Sequence, residues 1–244
     1  VDLMLDTFPK IKYDFLVYNR AWGGSREYRL RFSELVVDSN LSSNCYMNFS
    51  PTDLDQDYRT HKFVNTNLKI QRNDLEQYFH PSTASSCYSA DYNSAEYNQC
   101  AVEVVLETLF DDSRWHLTEK SLRPIACGKP FIIASTPGSL EYLKSYGFKT
   151  FSPWIDESYD TVQDHSLRLQ AIINSMQKFS AISLEEKQHA LAEMQAVCAY
   201  NRNRFFSDEF MQQVLDEFRD NLSQGVLKLQ NYKGKNFTHL MRSY

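Results

Sequence analysis

Residues 115–151, WHLTEKSLRPIACGKPFIIASTPGSLEYLKSYGFKTF, constrain the fold more than any other part of the chain. A loop leads into a short helix opening on Thr118-Glu119-Lys120. A buried strand follows at 130–135, then a second helix opening on Pro137-Gly138-Ser139. Helices that begin at loops beside strand ends imply a parallel sheet, and such helix starts are where nucleotides and their phosphates bind. Thr118 offers an N-cap hydroxyl and Glu119 suits the positive first turn. Leu122, Ile125 and Ala126 form one apolar stripe, and Gly128 supplies a left-handed stop. Lys120 opposes the helix dipole, which a bound anion explains; a solvated surface lysine is the alternative.

The same alternation recurs upstream. Residues 13–19 (YDFLVYN) read as a buried strand, followed by a glycine-containing loop at 20–24 and a helix from Ser25 to about Ser39. Residues 45–49 are expected as a second strand, 63–70 as a third element, 101–107 as a further strand and 149–151 as a short last one. Residues 81–99, rich in Ser, Tyr and Asn, read as a long loop and a candidate lid. From 161 only helices are expected, over 161–178, 183–204 and 207–224. Ser183 and Glu186 form a capping box, and Met211, Val214, Leu215, Phe218 and Leu222 an apolar stripe. The fold expected is therefore α/β, a Rossmann-like, mainly parallel sheet over 8–160, with helices at 161–227 packed on it and a basic tail at 228–244.

Composition narrows the class. With 244 residues, 42% apolar and 14% aromatic, the chain can bury a sizeable core. No apolar run approaches the roughly 18 residues that span a bilayer, and no signal-peptide layout opens the sequence, so a cytoplasmic protein without a transmembrane segment is expected. Val1 in place of Met suggests a trimmed chain with an upstream piece missing. Five widely spaced cysteines without a C-x-x-C pair indicate neither a zinc site nor a disulfide framework. The net charge of -5 gives no general attraction to nucleic acid. The charge is segregated: residues 73–113 hold eight carboxylates and no Lys or Arg, whereas Arg20, Arg26, Arg29 and Arg31 fall within twelve residues. No G-x-G-x-x-G or P-loop pattern occurs.

Around Thr118-Glu119-Lys120 the chain resembles the nucleotide-sugar-binding half of GT-B glycosyltransferases, and above all the α1,3-fucosyltransferases, whose V-T-E-K motif opens a helix in the same way. Those enzymes carry a strand ending in F-E-N shortly before that motif; here Val105-Leu106-Glu107-Thr108 ends a strand twelve residues before Glu119. Their upstream strand ending in S-N, with a loop and a helix-opening arginine, is matched by Tyr18-Asn19, the loop and Ser25-Arg26. The resemblance spans about residues 15–151 and extends to sugar-transferase-like proteins of phages and bacteria.

The resemblance implies a transferase that moves a sugar from a nucleoside diphosphate-sugar to a glycan or a modified phage DNA base, with no cofactor besides that co-substrate. Glu119 would accept hydrogen bonds from the donor ribose, Lys120 and Arg26 would hold the diphosphate, and Glu107 would form the catalytic floor near the transferred sugar. Arg20, Arg29, Gly138 and Ser139 complete the donor-binding set. Arginine, lysine and helix starts stabilise a departing diphosphate without metal. No catalytic base carries over, because a GT-B enzyme keeps it on a second Rossmann-like domain; that half would be a missing N-terminal domain or a partner subunit. Two other readings stand beside this one. Asp53-Leu54-Asp55 and Asp55-Gln56-Asp57 overlap as D-x-D, the metal-binding signature of another glycosyltransferase fold, so Asp53, Asp55 and Asp57 would serve a metal-dependent transferase. A noncatalytic module that binds nucleotide or glycan would keep Glu119, Lys120 and Arg26 and lack a base.

Overall fold

The computed structural model describes residues 11–81 and 89–231. It divides into two compact units, residues 1–203 and 204–244. The first is built on five strands: β1 (Tyr13–Asn19), β2 (Cys45–Phe49), β5 (His80–Pro81), β6 (Cys100–Leu106) and β7 (Phe131–Ala134), in the order β5-β2-β1-β6-β7. All four pairings are parallel. Counted by first appearance, the strands of this sheet run third, second, first, fourth, fifth, the order of the doubly wound nucleotide-binding fold. The expected Rossmann-like α/β class is thus present. Strands β1 and β6 are apolar almost end to end, as strands covered on both faces must be.

Helices α1 (Tyr28–Asp38), α2 (Ser94–Asn98), α3 (Glu119–Cys127), α4 (Ser139–Ser145) and α5 (His165–Ala181) belong to this unit, with all but the end of α6 (Leu184–Phe205). Several sequence expectations need adjustment. The helix expected from Ser25 begins as a 3-10 turn at Gly24–Arg26 and becomes α-helical only at Tyr28. Residues 63–70 form turns, and the third strand is instead the two-residue β5. The strand expected at 149–151 is absent, because Asn201 of α6 takes both backbone groups of Lys149: its Oδ1 accepts the N–H at 2.8 Å and its Nδ2 donates to the carbonyl at 2.8 Å. A side chain thus provides what a neighbouring strand would have.

The loop expected at 81–99 contains α2 over Ser94–Asn98, and residues 82–88 lie outside the described residues. Helix α5 buries Leu169, Ile172, Ile173, Met176 and Phe179 within the first unit. The second unit contains α7 (Asp208–Asn231), along which Met211, Leu215, Phe218 and Leu222 are exposed. Most of the expected basic tail, 232–244, lies outside the described residues. The Ser183 capping box is formed as expected: the Ser183 N–H donates to Glu186 Oε2 at 2.8 Å, and the Glu186 N–H to Ser183 Oγ at 3.2 Å. No helix among the described residues is long and apolar enough to cross a membrane.

Candidate functional site

After β1 the chain winds to β2 on one side, whereas β6 and β7 lie on the other. The loops leaving β1 and β6 therefore part at the carboxyl edge of the sheet, the usual ligand position in open α/β sheets. Side-chain bonds draw three parts together at this edge, which forms the candidate crevice: the loop 20–26, the loop 107–118 that leads into α3, and the segment from Ser89.

Glu107, at the end of β6, organises one wall. Its carboxylate is wholly buried and accepts four hydrogen bonds: the Thr118 N–H at 2.8 Å and the Ser121 hydroxyl at 2.6 Å on Oε1, the Thr118 hydroxyl at 2.8 Å and the Thr108 N–H at 3.2 Å on Oε2. This corrects the catalytic role expected for Glu107. A carboxylate so engaged fixes the start of α3 and presents no free oxygen to a ligand. Thr118 Oγ1 in turn accepts the Lys120 N–H at 3.3 Å, capping the helix, and Gly128 ends it with φ +67°.

The helix is also tied to the sheet by charge. Arg123, one turn past Lys120, pairs with Glu103 in the middle of β6, both side chains being buried, and lies over the Tyr18 ring at 4.8 Å. Its guanidinium also donates to the Ser89 carbonyl. These bonds hold Glu119 and Lys120 at the crevice rim.

Lys120, with its side chain 14% exposed, has its ammonium within 3.0 Å of Glu119 Oε1, 3.2 Å of Thr118 Oγ1 and 3.4 Å of Thr108 Oγ1. Three oxygens thus hold a cation at a position the helix dipole disfavours. Glu119 also accepts the Ser89 hydroxyl. Desolvation pushes the Glu119 carboxyl up, but the bonds from Ser89 and Lys120 outweigh it and bring the pKa down to about 2. It is an anion with hydrogen-bond capacity to offer.

The opposite wall carries the arginines. Arg29 is buried, and its guanidinium donates to the carbonyls of Ala21 at 2.6 Å, Leu106 at 2.6 Å and Glu107 at 3.1 Å. It bridges the ends of β1 and β6 from beneath, so its expected phosphate contact is corrected to a supporting role. Tyr28 does the same for β6 and β7, its hydroxyl donating to Glu107 O at 2.6 Å. Arg26 is half-buried and bonds Gly23 O at 3.1 Å.

Arg20 differs from both. Its guanidinium lies over the Tyr18 ring at 4.3 Å, on the same ring that Arg123 covers, and Nε and Nη1 are buried without a hydrogen-bond partner. Two buried unsatisfied donors on a cation are costly unless something anionic completes them. A chain of contacts links Arg20 through Tyr18, Arg123 and Ser89 to Glu119. In the sequence Arg20 is one of four clustered arginines; its orphaned donors appear only in three dimensions.

The start of α4 is closed to an anion. Asp160 already occupies it, accepting the Leu140 N–H on Oδ1 at 3.1 Å, while its backbone carbonyl takes the Gly138 N–H at 2.8 Å. Ser139 is fully buried and donates to Thr136 O at 2.6 Å. The expected donor-binding role of Gly138 and Ser139 is corrected accordingly.

The D-x-D segment is also engaged. It forms the hairpin β3 (Thr52–Asp53) and β4 (Gln56–Asp57), with Leu54 and Asp55 at positive φ in the turn. Asp53 Oδ2 accepts the N–H groups of Trp22 at 2.8 Å and Gly23 at 2.6 Å, and Asp57 pairs with Arg59 at 2.8 Å. A Cβ at Gly23 would stand 2.9 Å from Leu54 and 3.1 Å from Asp53, so glycine permits the hairpin to clamp the loop. Asp53 therefore braces the loop after β1 and Asp57 holds Arg59, the two outer carboxylates on which the metal-dependent alternative drew. Among the described residues no group of three or more His, Cys, Asp or Glu is placed to hold a metal ion.

The chain is thus a Rossmann-like α/β protein whose Arg20 and Lys120 stand on the loop and the helix start at its topological switch point. Compared with known proteins, the chain matches no family model, no curated protein and no solved structure.

Proposed function

We propose that the crevice binds a nucleoside diphosphate-sugar and that the chain acts as the donor-binding part of a metal-independent glycosyltransferase. The observation that carries this reading is Arg20, a cation with two buried donors left open, linked through Tyr18, Arg123 and Ser89 to Glu119 and Lys120. Opposed cations suit a diphosphate, whose charge grows as the sugar bond breaks, and a depressed carboxyl suits the paired hydroxyls of a ribose. Arg26 lies close enough to Arg29 to feel its charge and adds to the positive potential of that wall.

A noncatalytic binding module is the second reading. It is favoured by one fact: Glu107, the carboxyl that would have stood nearest the transferred sugar, is saturated. An enzyme releases free nucleoside diphosphate when given its acceptor, whereas a module never consumes the donor.

A thermal-shift screen across nucleotide-sugars and nucleoside diphosphates tests the binding claim. At least one should raise the melting temperature, with the shift largely lost in Lys120→Ala and Glu119→Ala. Shifts that survive both substitutions would place the ligand elsewhere.

A further inference from the structure

A second concavity lies on the same carboxyl edge of the sheet, beyond β7. It encloses about 810 Å³ between the loop after β6, the start of α4 and the start of α5. That is the size of a small-molecule pocket. Its wall contains Trp115, whose residue surface is 58% exposed.

An exposed indole is usually loose, but this one is fixed. Nε1 donates to Pro137 O at 3.0 Å, and the ring stacks on Tyr142 with centroids 5.5 Å apart and planes 21° from parallel. Gly138 lets it lie close, since a Cβ there would approach Nε1 to 3.2 Å, and its φ of +80° is one that L side chains rarely adopt. The result is a rigid aromatic surface held open at a cavity mouth.

The charge around it is negative. Asp111, Asp112, Glu141, Glu157 and Asp160 line the cavity beside Lys144, Arg168 and His165. Asp112 is paired with Arg114 at 2.7 Å and burial pushes the Glu157 and Asp160 carboxyls up, which leaves Asp111 and Glu141 as the carboxylates without these constraints. Arg168 offers an anion nothing, because its guanidinium donates to the carbonyls of Ser135, Phe110, Val162 and Gln163. Lys144 is drawn to Glu141 at 3.7 Å. Excess carboxylate beside an accessible aromatic face is the environment that attracts an organic cation.

We infer that this cavity binds the alkylammonium group of a small amine, with Trp115 as the cation–π surface and Glu141 and Asp111 as counter-charges. The inference does not depend on the diphosphate reading: the crevice offers cations to an anion, and this cavity does the reverse.

Spermidine, titrated against the whole chain at low salt and followed by tryptophan emission and calorimetry, provides the test. Trp22 is wholly buried and Trp154 is half-buried with its Nε1 bonded to Glu193, so Trp115 is the most exposed of the three indoles, and the emission titration is repeated in Trp154→Phe to isolate the Trp115 signal. Saturable binding below about 1 mM is expected, weakening as salt rises. Trp115→Leu should weaken binding by about tenfold by calorimetry. Glu141→Gln, at a side chain 81% exposed, leaves the fold intact and should weaken binding severalfold. Lys120→Ala should leave the titration unchanged, so failure of the diphosphate reading and failure of this one are separable. Absence of saturable binding, equal binding of 1,8-octanediol, or unaltered affinity in Trp115→Leu would overturn the inference.

Discussion

Glu107 and Thr118 are joined twice, the Thr118 N–H meeting Oε1 at 2.8 Å and its hydroxyl meeting Oε2 at 2.8 Å. Through this pair the last turn of β6 sets where α3 begins, and with it where Glu119 and Lys120 stand. Replacing Glu107 with Ala would leave the Thr118 and Ser121 donors unpaired in a dry site. A loss of roughly 2–4 kcal/mol in urea unfolding is expected. Gln should recover part of it by keeping an acceptor. A change within experimental error would mean that Glu107 is not what anchors the helix.

Glu119 gives a pH dependence of known sign. Its carboxyl is lowered from the ordinary 4.5 to about 2, so the folded state binds the proton less readily than the unfolded chain. The stabilisation it contributes is fully present above pH 4.5 and is lost as pH falls toward 2. Because the side chain is 47% exposed, solvent screening keeps the effect under about 1 kcal/mol. The stability gap between the native chain and Glu119→Gln should therefore narrow on acidification from pH 5 to pH 2. A gap that widens instead would reverse the assignment of the Ser89 and Lys120 bonds.

Asn201 stands in for a strand at Lys149. Asn201→Ala should cost about 1–3 kcal/mol, because both backbone groups of a partly buried segment lose their partner. Hydrogen exchange at the Lys149 amide should accelerate in the same variant. Exchange as slow as in the native chain would show that another group satisfies that amide.

Asp53 binds two successive N–H groups of the loop after β1. Asp53→Ala should free Trp22 and Gly23 amides to exchange faster, with a stability loss of about 1–2 kcal/mol. A metal ligand would behave differently, with manganese or magnesium raising the melting temperature of the native chain and not of the variant.

Where patterns are local, sequence and structure agree closely. The strands at Tyr13–Asn19 and Cys45–Phe49 and the helix start at Thr118 follow from apolar runs and capping chemistry, which act over a few residues. The short strand β5 has only two residues and leaves no period to read. Residues 149–151 have strand composition, yet an asparagine 52 positions away takes their hydrogen bonds. The candidate site shows the same limit. Thr118, Glu119 and Lys120 are legible because they share one helix turn. Arg20 and Arg29 look alike in the sequence; Arg29 also keeps its Nε without a partner, but three carbonyls converge on the rest of its guanidinium, whereas Nε and Nη1 of Arg20 are both left open. Likewise, nothing near Gly138 in the chain announces that Asp160, 22 positions later, fills the α4 start.

The central claim is that Arg20 is held ready for a diphosphate, and one substitution tests it in two opposite directions. Arg20→Met removes two buried donors without partners, keeps an apolar stem against Tyr18, and should leave the ligand-free melting temperature equal or higher. The same variant, titrated calorimetrically with the nucleoside diphosphate that binds the native chain best, should lose at least about tenfold in affinity, or roughly 1.4 kcal/mol. A variant that melts lower and binds as tightly as the native chain would make Arg20 a structural brace and contradict the account.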